Sequence, residues 1–498
     1  MKKRSVGLVL SYSNTFLNMV TGLFLSSFLL RQLGDTEYGV YQTIASFANY
    51  LVLLEFGTGT VMSRNLAACR AKSCSELDIE KNISTIWTIT NALALLIAGA
   101  STVFYFSLDA IYAKSLTPEQ ISDGKSILIF ITVFMLASFY VQTLNGIMLA
   151  HEDYTYASST SIIRILTRTA LLCVLILLIK KAIVIAIVDA VINTMLALFG
   201  YIYATRKFKV KINFKNFDAA IFKATLPLSL AIFMQAIVNQ ANSNVGKFIL
   251  GVSVGPEEVA VYSVGLYVYS IFASLSTIPV SMYVPQVTKD VISGKDGREL
   301  TDTLIRPSRL IVIVSGAVLF GFFATGRQFV NIIYGAKYSI AWIIALILIT
   351  PAFLSVTLAL VINVVDAKNK RLQRSFIVLF TSCVNIALTT VLIKQWGILG
   401  VAASTGLAIL LQVAMLSVYY AKAINIHVLH LFYETYKGVL LYHIIGACIG
   451  YFVGNQILNV YLSFVVSGCT YVFIAFGGCL LSEKIRKRKS VKIQGENK

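Results

Sequence analysis

A chain of 498 residues with 57% hydrophobic and only 13% charged residues, and a mean hydropathy of +0.77, is too apolar for a water-soluble globular protein. The net charge of +19 must then sit in the joints between apolar runs, where it needs no nucleic-acid partner. Seven scattered cysteines, five of them inside apolar runs, give no disulfide framework and no metal set.

A spanning helix needs about 20 apolar residues, and fourteen segments meet that length: 6–30, 37–62, 83–106, 125–150, 158–179, 182–204, 225–250, 259–284, 307–325, 339–364, 375–393, 398–420, 438–456 and 460–481. The opening MKKR with its apolar run to Leu30 is too long for a signal peptide and lacks a small-residue cleavage pattern, so it reads as the first span. Between the first two spans stands Gly34-Asp-Thr-Glu37-Tyr-Gly-Val40-Tyr41, which returns between the seventh and eighth as Gly255-Pro-Glu-Glu258-Val-Ala-Val261-Tyr262. The repeat implies two similar halves, each starting with a helical hairpin. The expected fold is an all-α polytopic membrane protein of about fourteen transmembrane helices. It has two six-helix lobes as parallel repeats, 1–208 and 209–421, and a C-terminal part, 422–498, with two extra helices and a basic tail. The linker from Arg206 to Lys223 reads either as a surface helix, through Ile212, Phe214, Phe217, Ile221 and Phe222, or as a plain charged connector.

Orientation follows from the basic residues. With the amino terminus inside, 31 of the 42 lysines and arginines fall on the inner side, 8 on the outer side and 3 within spans. Both termini are expected in the cytoplasm, with the loops and the tail from Lys484 to Lys489 against membrane lipids of the anionic inner leaflet.

No G-x-x-x-x-G-K-[ST] phosphate loop and no G-x-G-x-x-G occurs, which excludes a recognisable nucleotide-binding fold. His427-x-x-His430 lies in an inner joint without further ligands, so neither a metal nor another cofactor is expected. The longest outer joint, from Ser107 to Gly124, offers only Asp109, Glu119 and Asp123, which argues against an enzyme.

Charges within spans are costly and therefore informative. Arg164 and Arg168 stand at i and i+4 on one face of the fifth span and suit an anionic, phosphate-bearing head group. The alternative is that they pair with Asp189 or Glu55 to hold helices together. Lys247 lies near the outer end of the seventh span, while Arg31 and Arg64 bracket the first two; these three and Arg309 can also be read as snorkelling from helix ends. Asp189 in the sixth span and Glu55 in the second are candidates for a coupling proton or sodium ion, with a structural counter-ion as the plainer reading. Tyr41, Tyr50, Tyr140, Tyr262, Tyr267 and Tyr269 read mostly as interface-belt residues. Gly57 with Gly59, Pro279 and Pro351 mark places where a helix can bend.

The stretch R-x-L-G-x-x-E-Y-G-x-Y from Arg31 to Tyr41, then Glu55-Phe-Gly57, Arg64 and Gly397-Ile-Leu-Gly400-Val-Ala-Ala-Ser-Thr405, resembles the Wzx-type polysaccharide flippases of the multidrug/oligosaccharidyl-lipid/polysaccharide exporter superfamily. The resemblance implies a flippase of the bacterial plasma membrane that moves undecaprenyl-pyrophosphate-linked oligosaccharide by alternating access, for surface polysaccharide synthesis. It also implies a cationic cavity for the head group, where Arg164, Arg168, Lys247, Arg31 and Arg64 are the expected binding residues, and a polymerase with chain-length machinery as partners. A lipid-linked peptidoglycan precursor flippase would share this architecture. A multidrug exporter needs acidic groups for cationic drugs, and here membrane cations outnumber carboxylates. The first span also lacks the proline and carboxylate that some drug exporters of the superfamily use for coupling.

The charge asymmetry yields a topology test. Reporter fusions after Lys223 and at the carboxyl terminus are both expected to report cytoplasm, and a periplasmic signal from either breaks the fourteen-helix arrangement.

Overall fold

A computed structural model describes residues 2–51, 55, 57–71, 74–213, 216–368 and 370–496; the side chains of the basic first residues and of the tail from residue 479 onward lie outside the described set, as does Phe214. Among the described residues every regular element is helical. The chain divides into two compact units, Met1–Ala260 and Val261–Lys498.

The first unit holds α1 (Lys2–Leu51), α2 (Thr58–Ala71), α3 (Glu76–Tyr112), α4 (Pro118–Ala150), α5 (Tyr154–Ile179), α6 (Ile183–Phe208), α7 (Ala219–Ser253) and the first turn of α8 (Pro256–Ile292). Helix starts follow capping chemistry, in which a side-chain oxygen accepts a backbone N–H that has no partner in the helix. Ser75 accepts from Asp78 N–H, Thr117 and Gln120 form a reciprocal capping box with Pro118 behind it, and Asp218 accepts from Ala220 and Ile221 N–H. Gly34 breaks α1 with φ 79 and ψ 170, and Gly255, its counterpart in the repeat, takes φ 147 between α7 and α8. Only glycine enters such conformations without strain, which is why both copies of the turn carry it. The second span is interrupted: α1 ends at Leu51 and α2 starts at Thr58, with Gly57 at φ 65 just before it. The left-handed caps of α5 and α6 are lysines, Lys180 (φ 50) and Lys209 (φ 51).

α4 is the central column and packs on α1, α2, α3, α5 and α6. Where α2 meets it, a Cβ on Gly146 would overlap the carbonyl oxygen of Gly59, so the two backbones touch. Hydroxyls continue the seam, with Thr143 Oγ1 3.1 Å from Thr58 Oγ1 and 3.2 Å from Thr90 Oγ1, all three buried. Apolar clusters lie on either side of it, one around Ile44, Phe104, Leu108 and Phe139, the other around Met62, Leu66, Leu144 and Met148. From Lys209 to Asn213 the linker has no regular structure, so this part is a connector and not a surface helix. The N–H groups of Asn213 and Asp218 donate to Ser84 Oγ (3.0 Å) and Thr85 Oγ1 (2.9 Å) of α3.

The second unit continues α8 and adds α9 (Gly297–Ile333), a 3-10 turn (Ala336–Tyr338), α10 (Ile340–Thr357), α11 (Ala359–Ala367), α12 (Arg371–Ile424), α13 (Val428–Tyr436), α14 (Leu440–Asn455) and α15 (Val460–Glu496). At about 1.5 Å per residue, α12 would be roughly 80 Å long, over twice a hydrocarbon core. Gly397 (φ 53, ψ −130) divides it. α15 presents small residues to α14 and α9: Ser467 Oγ donates to Gly450 O (2.6 Å) and Ala324 O (3.0 Å), and Ser463 Oγ to Gly454 O (2.8 Å). Arg309, buried in α9, donates through Nη1 to the carbonyls of Glu434 (3.2 Å) and Lys437 (2.7 Å) at the end of α13, which is a structural role. At one rim, Asp296 accepts from Lys368 Nζ at 2.8 Å, and this bond holds its carboxyl below the usual range.

Large apolar side chains such as Phe106, Phe199, Phe452 and Phe473 lie exposed on the outside of the helices, as a lipid-facing surface requires. Among the described residues, ten helices are long and apolar enough to cross a membrane, or eleven if α13 and α14, bent by 49°, form one span. The chain is a multi-pass membrane protein, and the expected count of fourteen spans is not established by these helices.

The Gly59–Gly146 approach predicts a sharp contrast between glycines. Gly146→Ala should destabilise the purified protein by about 1–3 kcal/mol, the range for overpacking, while Gly99→Ala, with open space around it, should leave the melting temperature unchanged or higher. Equal melting of the two variants would contradict the packing.

Candidate substrate-binding site

The site is built on α5. Its start is anchored by Asp153, whose Oδ1 accepts from Tyr156 N–H (3.3 Å) and whose Oδ2 accepts from Tyr203 OH (2.8 Å) and Lys207 Nζ (2.6 Å). Burial pushes this carboxyl up, but the hydrogen bonds outweigh it and hold it below the usual carboxylate range. A lowered carboxyl contributes stability that is full above the unfolded value of about 3.9 and is lost as pH falls through the folded one.

From that anchor Tyr156, Thr160, Arg164 and Arg168 recur every four residues along α5. Four-residue steps nearly match the turn of 3.6, so they form a slowly winding polar stripe about 18 Å long. Two guanidiniums one turn apart on one helix face carry like charges that repel. The two are handled differently. Arg168 makes a two-pronged pair with Asp189 of α6, Nε to Oδ1 at 2.5 Å and Nη2 to Oδ2 at 2.9 Å. Tyr41 and Tyr38 of α1 stand within electrostatic range of that pair. Arg164 lies 5.9 Å from the ring centre of Phe134 and, among the described residues, forms no ion pair with a carboxylate. It lines a cavity of about 70 Å³ together with Asn145, Tyr156, Thr160 and Ser161. Ser161 and Asn14 of α1 exchange hydrogen bonds of 2.9 and 3.2 Å beside it.

The other expected residues are spread out. Lys247 Nζ donates to Gln42 Oε1 (3.3 Å), and Gln42 Nε2 donates to Tyr38 OH (2.7 Å), so α7 is linked through α1 toward the Arg168–Asp189 pair. Arg31 is exposed at the end of the first arm of α1, and Arg64 is exposed on α2. Glu55 lies half-buried in the break between α1 and α2, and its carboxylate has no hydrogen bond or ion pair among the described residues. The structure thus brings Arg164, Arg168 and Asp189 together, connects Lys247 by a relay, and places Arg31, Arg64 and Glu55 outside that group. Three tyrosines assigned to the interface belt are elsewhere: Tyr41 by the ion pair, Tyr140 with its hydroxyl donating to Asn91 (2.8 Å), and Tyr262 buried. Sequence reasoning missed Asn145, Tyr156, Thr160 and Ser161, of which Tyr156 and Thr160 were signalled by the four-residue spacing on α5. Among the described residues no group of three or more His, Cys, Asp or Glu is placed to hold a metal ion.

A family model described as "Polysaccharide biosynthesis protein" matches residues 7–291, more than half of the chain. The chain belongs to the polysaccharide biosynthesis protein family. All seven of the charged residues expected at the site fall inside the matched stretch of this family member. Its fold is similar to that of a solved structure described as "Lipid II flippase MurJ, inward closed conformation", with a TM-score of 0.73 at 15% identity over 96% of this chain and 100% of that one. It is also similar to an inward-facing multidrug resistance MATE family transporter of the MOP superfamily (TM-score 0.61, 13% identity, 81% of this chain and 92% of that one). The MATE multidrug transporter DinF-BH is a further likeness (TM-score 0.58, 16% identity, 84% and 95%). At these identities the likeness concerns the fold of the family member. No curated protein sequence matches it.

The Arg168–Asp189 pair gives a stability test. Removing one partner of a buried pair costs about 3–5 kcal/mol; with the Arg168 side chain 30% exposed, about 2–3 kcal/mol is expected for Asp189→Ala. Arg168→Met with Asp189→Leu should recover most of it in thermal unfolding of the purified protein. A single variant as stable as the parent would show that the pair does not tie α5 to α6.

Proposed function

We propose that this polysaccharide biosynthesis family member is a flippase that carries a lipid-linked oligosaccharide with a pyrophosphate head group across the bacterial plasma membrane by alternating access, both termini lying in the cytoplasm. The observation that carries this reading is the polar stripe of α5, where two guanidiniums sit well inside a membrane span with a single carboxylate to share. An anionic head group crossing a low-dielectric slab needs fixed cations along its route, and a guanidinium binds phosphate through two parallel N–H donors. A cationic drug would need the opposite balance. A lipid-linked peptidoglycan precursor presents the same pyrophosphate, so the sugars separate the two flippase readings. A polysaccharide polymerase and its chain-length machinery are the partners this role implies. Of the two membrane carboxylates, Asp189 has its charge taken by Arg168, which leaves Glu55 as the group to bind a coupling ion.

The test is accumulation in cells. Replacing both Arg164 and Arg168 with alanine should leave lipid-linked oligosaccharide on the inner leaflet when export is normalised to protein abundance, and lysine at both positions should partly restore export, since charge is kept while the two-pronged geometry is lost. Normal export by the double alanine variant would remove the stripe from the mechanism. Accumulation of peptidoglycan precursor instead would reassign the substrate.

A further inference from the structure

The two arginines of α5 are not equivalent, and their difference suggests how one site can both bind and release an anion. Arg168 already holds a carboxylate in the geometry it would use for a phosphate, with Nε and Nη2 on the two oxygens of Asp189. Arg164, one turn nearer the Asp153 end, has an aromatic face at 5.9 Å and a polar cavity in front of it. That cavity, about 70 Å³, exceeds the roughly 10–15 Å³ needed for one water several times over and has the room for a phosphate group. Its polar wall offers a phosphate the Arg164 guanidinium, the Asn145 amide and the Tyr156 hydroxyl, while the Thr160 and Ser161 hydroxyls already donate to Tyr156 O (2.9 Å) and Asn14 Oδ1 (3.2 Å); Val141, Leu144 and Leu196 make the rest apolar. No carboxylate lines it. Two cations and one carboxylate leave an excess of positive charge for an incoming anion.

We propose that the Arg164 cavity is a station for one phosphate group of the ligand, and that Asp189 is a built-in competitor that occupies Arg168 until a second phosphate displaces it. The inference rests on the flippase reading above for its ligand and adds the division of labour between the two arginines. A pyrophosphate has two phosphates in tandem, and Arg164 and Arg168 are two cations in tandem on one stripe. The first phosphate enters the open cavity at Arg164. The second must exchange with the Asp189 carboxylate on Arg168, and the same carboxylate, returning, drives it off. Asp189 therefore sets affinity and release, whereas a coupling carboxylate would act by taking up a proton or sodium ion.

The experiment reads binding, separately from export, with the full chain in nanodiscs and farnesyl pyrophosphate as probe, by titration calorimetry. The parent should bind it, inorganic pyrophosphate should compete, and farnesol should not. Arg164→Gln should weaken binding about tenfold or more, and Asp189→Asn should strengthen it about tenfold by freeing Arg168, the scale of one charged hydrogen bond. Arg168→Gln combined with Asp189→Asn removes both charges together, so it should bind like the parent; this arm carries the test if Asp189→Asn alone does not fold. Parental affinity in Arg164→Gln, no gain in folded Asp189→Asn, loss of binding in the double variant, or displacement by farnesol would each overturn the proposal. A chain that exports lipid-linked saccharide in cells but fails these measurements keeps the function and loses this site. One that binds as described but does not export keeps the site and loses the function.

Discussion

In hydrocarbon, helices gain nothing by hiding apolar faces from water, so their association depends on close backbone approach and on hydroxyl groups bonded across the seams. The first unit is organised by one such place, where Gly59 and Gly146 let α2 and α4 touch main chain to main chain and Thr58, Thr90 and Thr143 share a hydroxyl cluster. α4 in turn contacts both α5 and α6, so its position decides how those two helices face each other and hence whether Arg168 can reach Asp189. The second unit uses the same means with other residues, through Gly450, Gly454, Ser463 and Ser467. The charged site is a consequence of uncharged packing one layer away.

Arg309, Arg168 and Arg164 show three ways to accommodate a guanidinium in an apolar slab. Arg309 ends on the last carbonyls of a short helix, where the backbone carries partial negative charge. Arg168 finds a carboxylate. Arg164 has a ring and a partly polar pocket, the weakest of the three compensations.

Much of this was legible in the residues. Apolar runs located the helices, and the repeated Gly34 and Gly255 turns stood out as a recurring motif whose backbone angles only glycine takes freely. The i, i+4 spacing of Arg164 and Arg168 was enough to place both on one face. The choice of Asp189 over Glu55 as partner was not legible, since it depends on the rotation of α6 against α5, which no local pattern encodes. Left-handed caps at Lys180 and Lys209 escape a search for glycine. The linker, with its spaced apolar residues, carried no sign that two of its N–H groups would be claimed by Ser84 and Thr85.

That linker has a mechanical meaning. A flexible tether between α6 and α7 would let each helix tilt independently, with slack growing as the square root of its length. Here the connector is pinned by its main chain to α3 at Asn213 and Asp218, five residues apart, and Asp218 is also the residue that caps α7. The segment behaves as a strut: a tilt or axial turn at the start of α7 pulls on the beginning of α3, because the hydroxyls of Ser84 and Thr85 are its footings. A displacement of one helix is thereby geared to another that is not its neighbour in sequence.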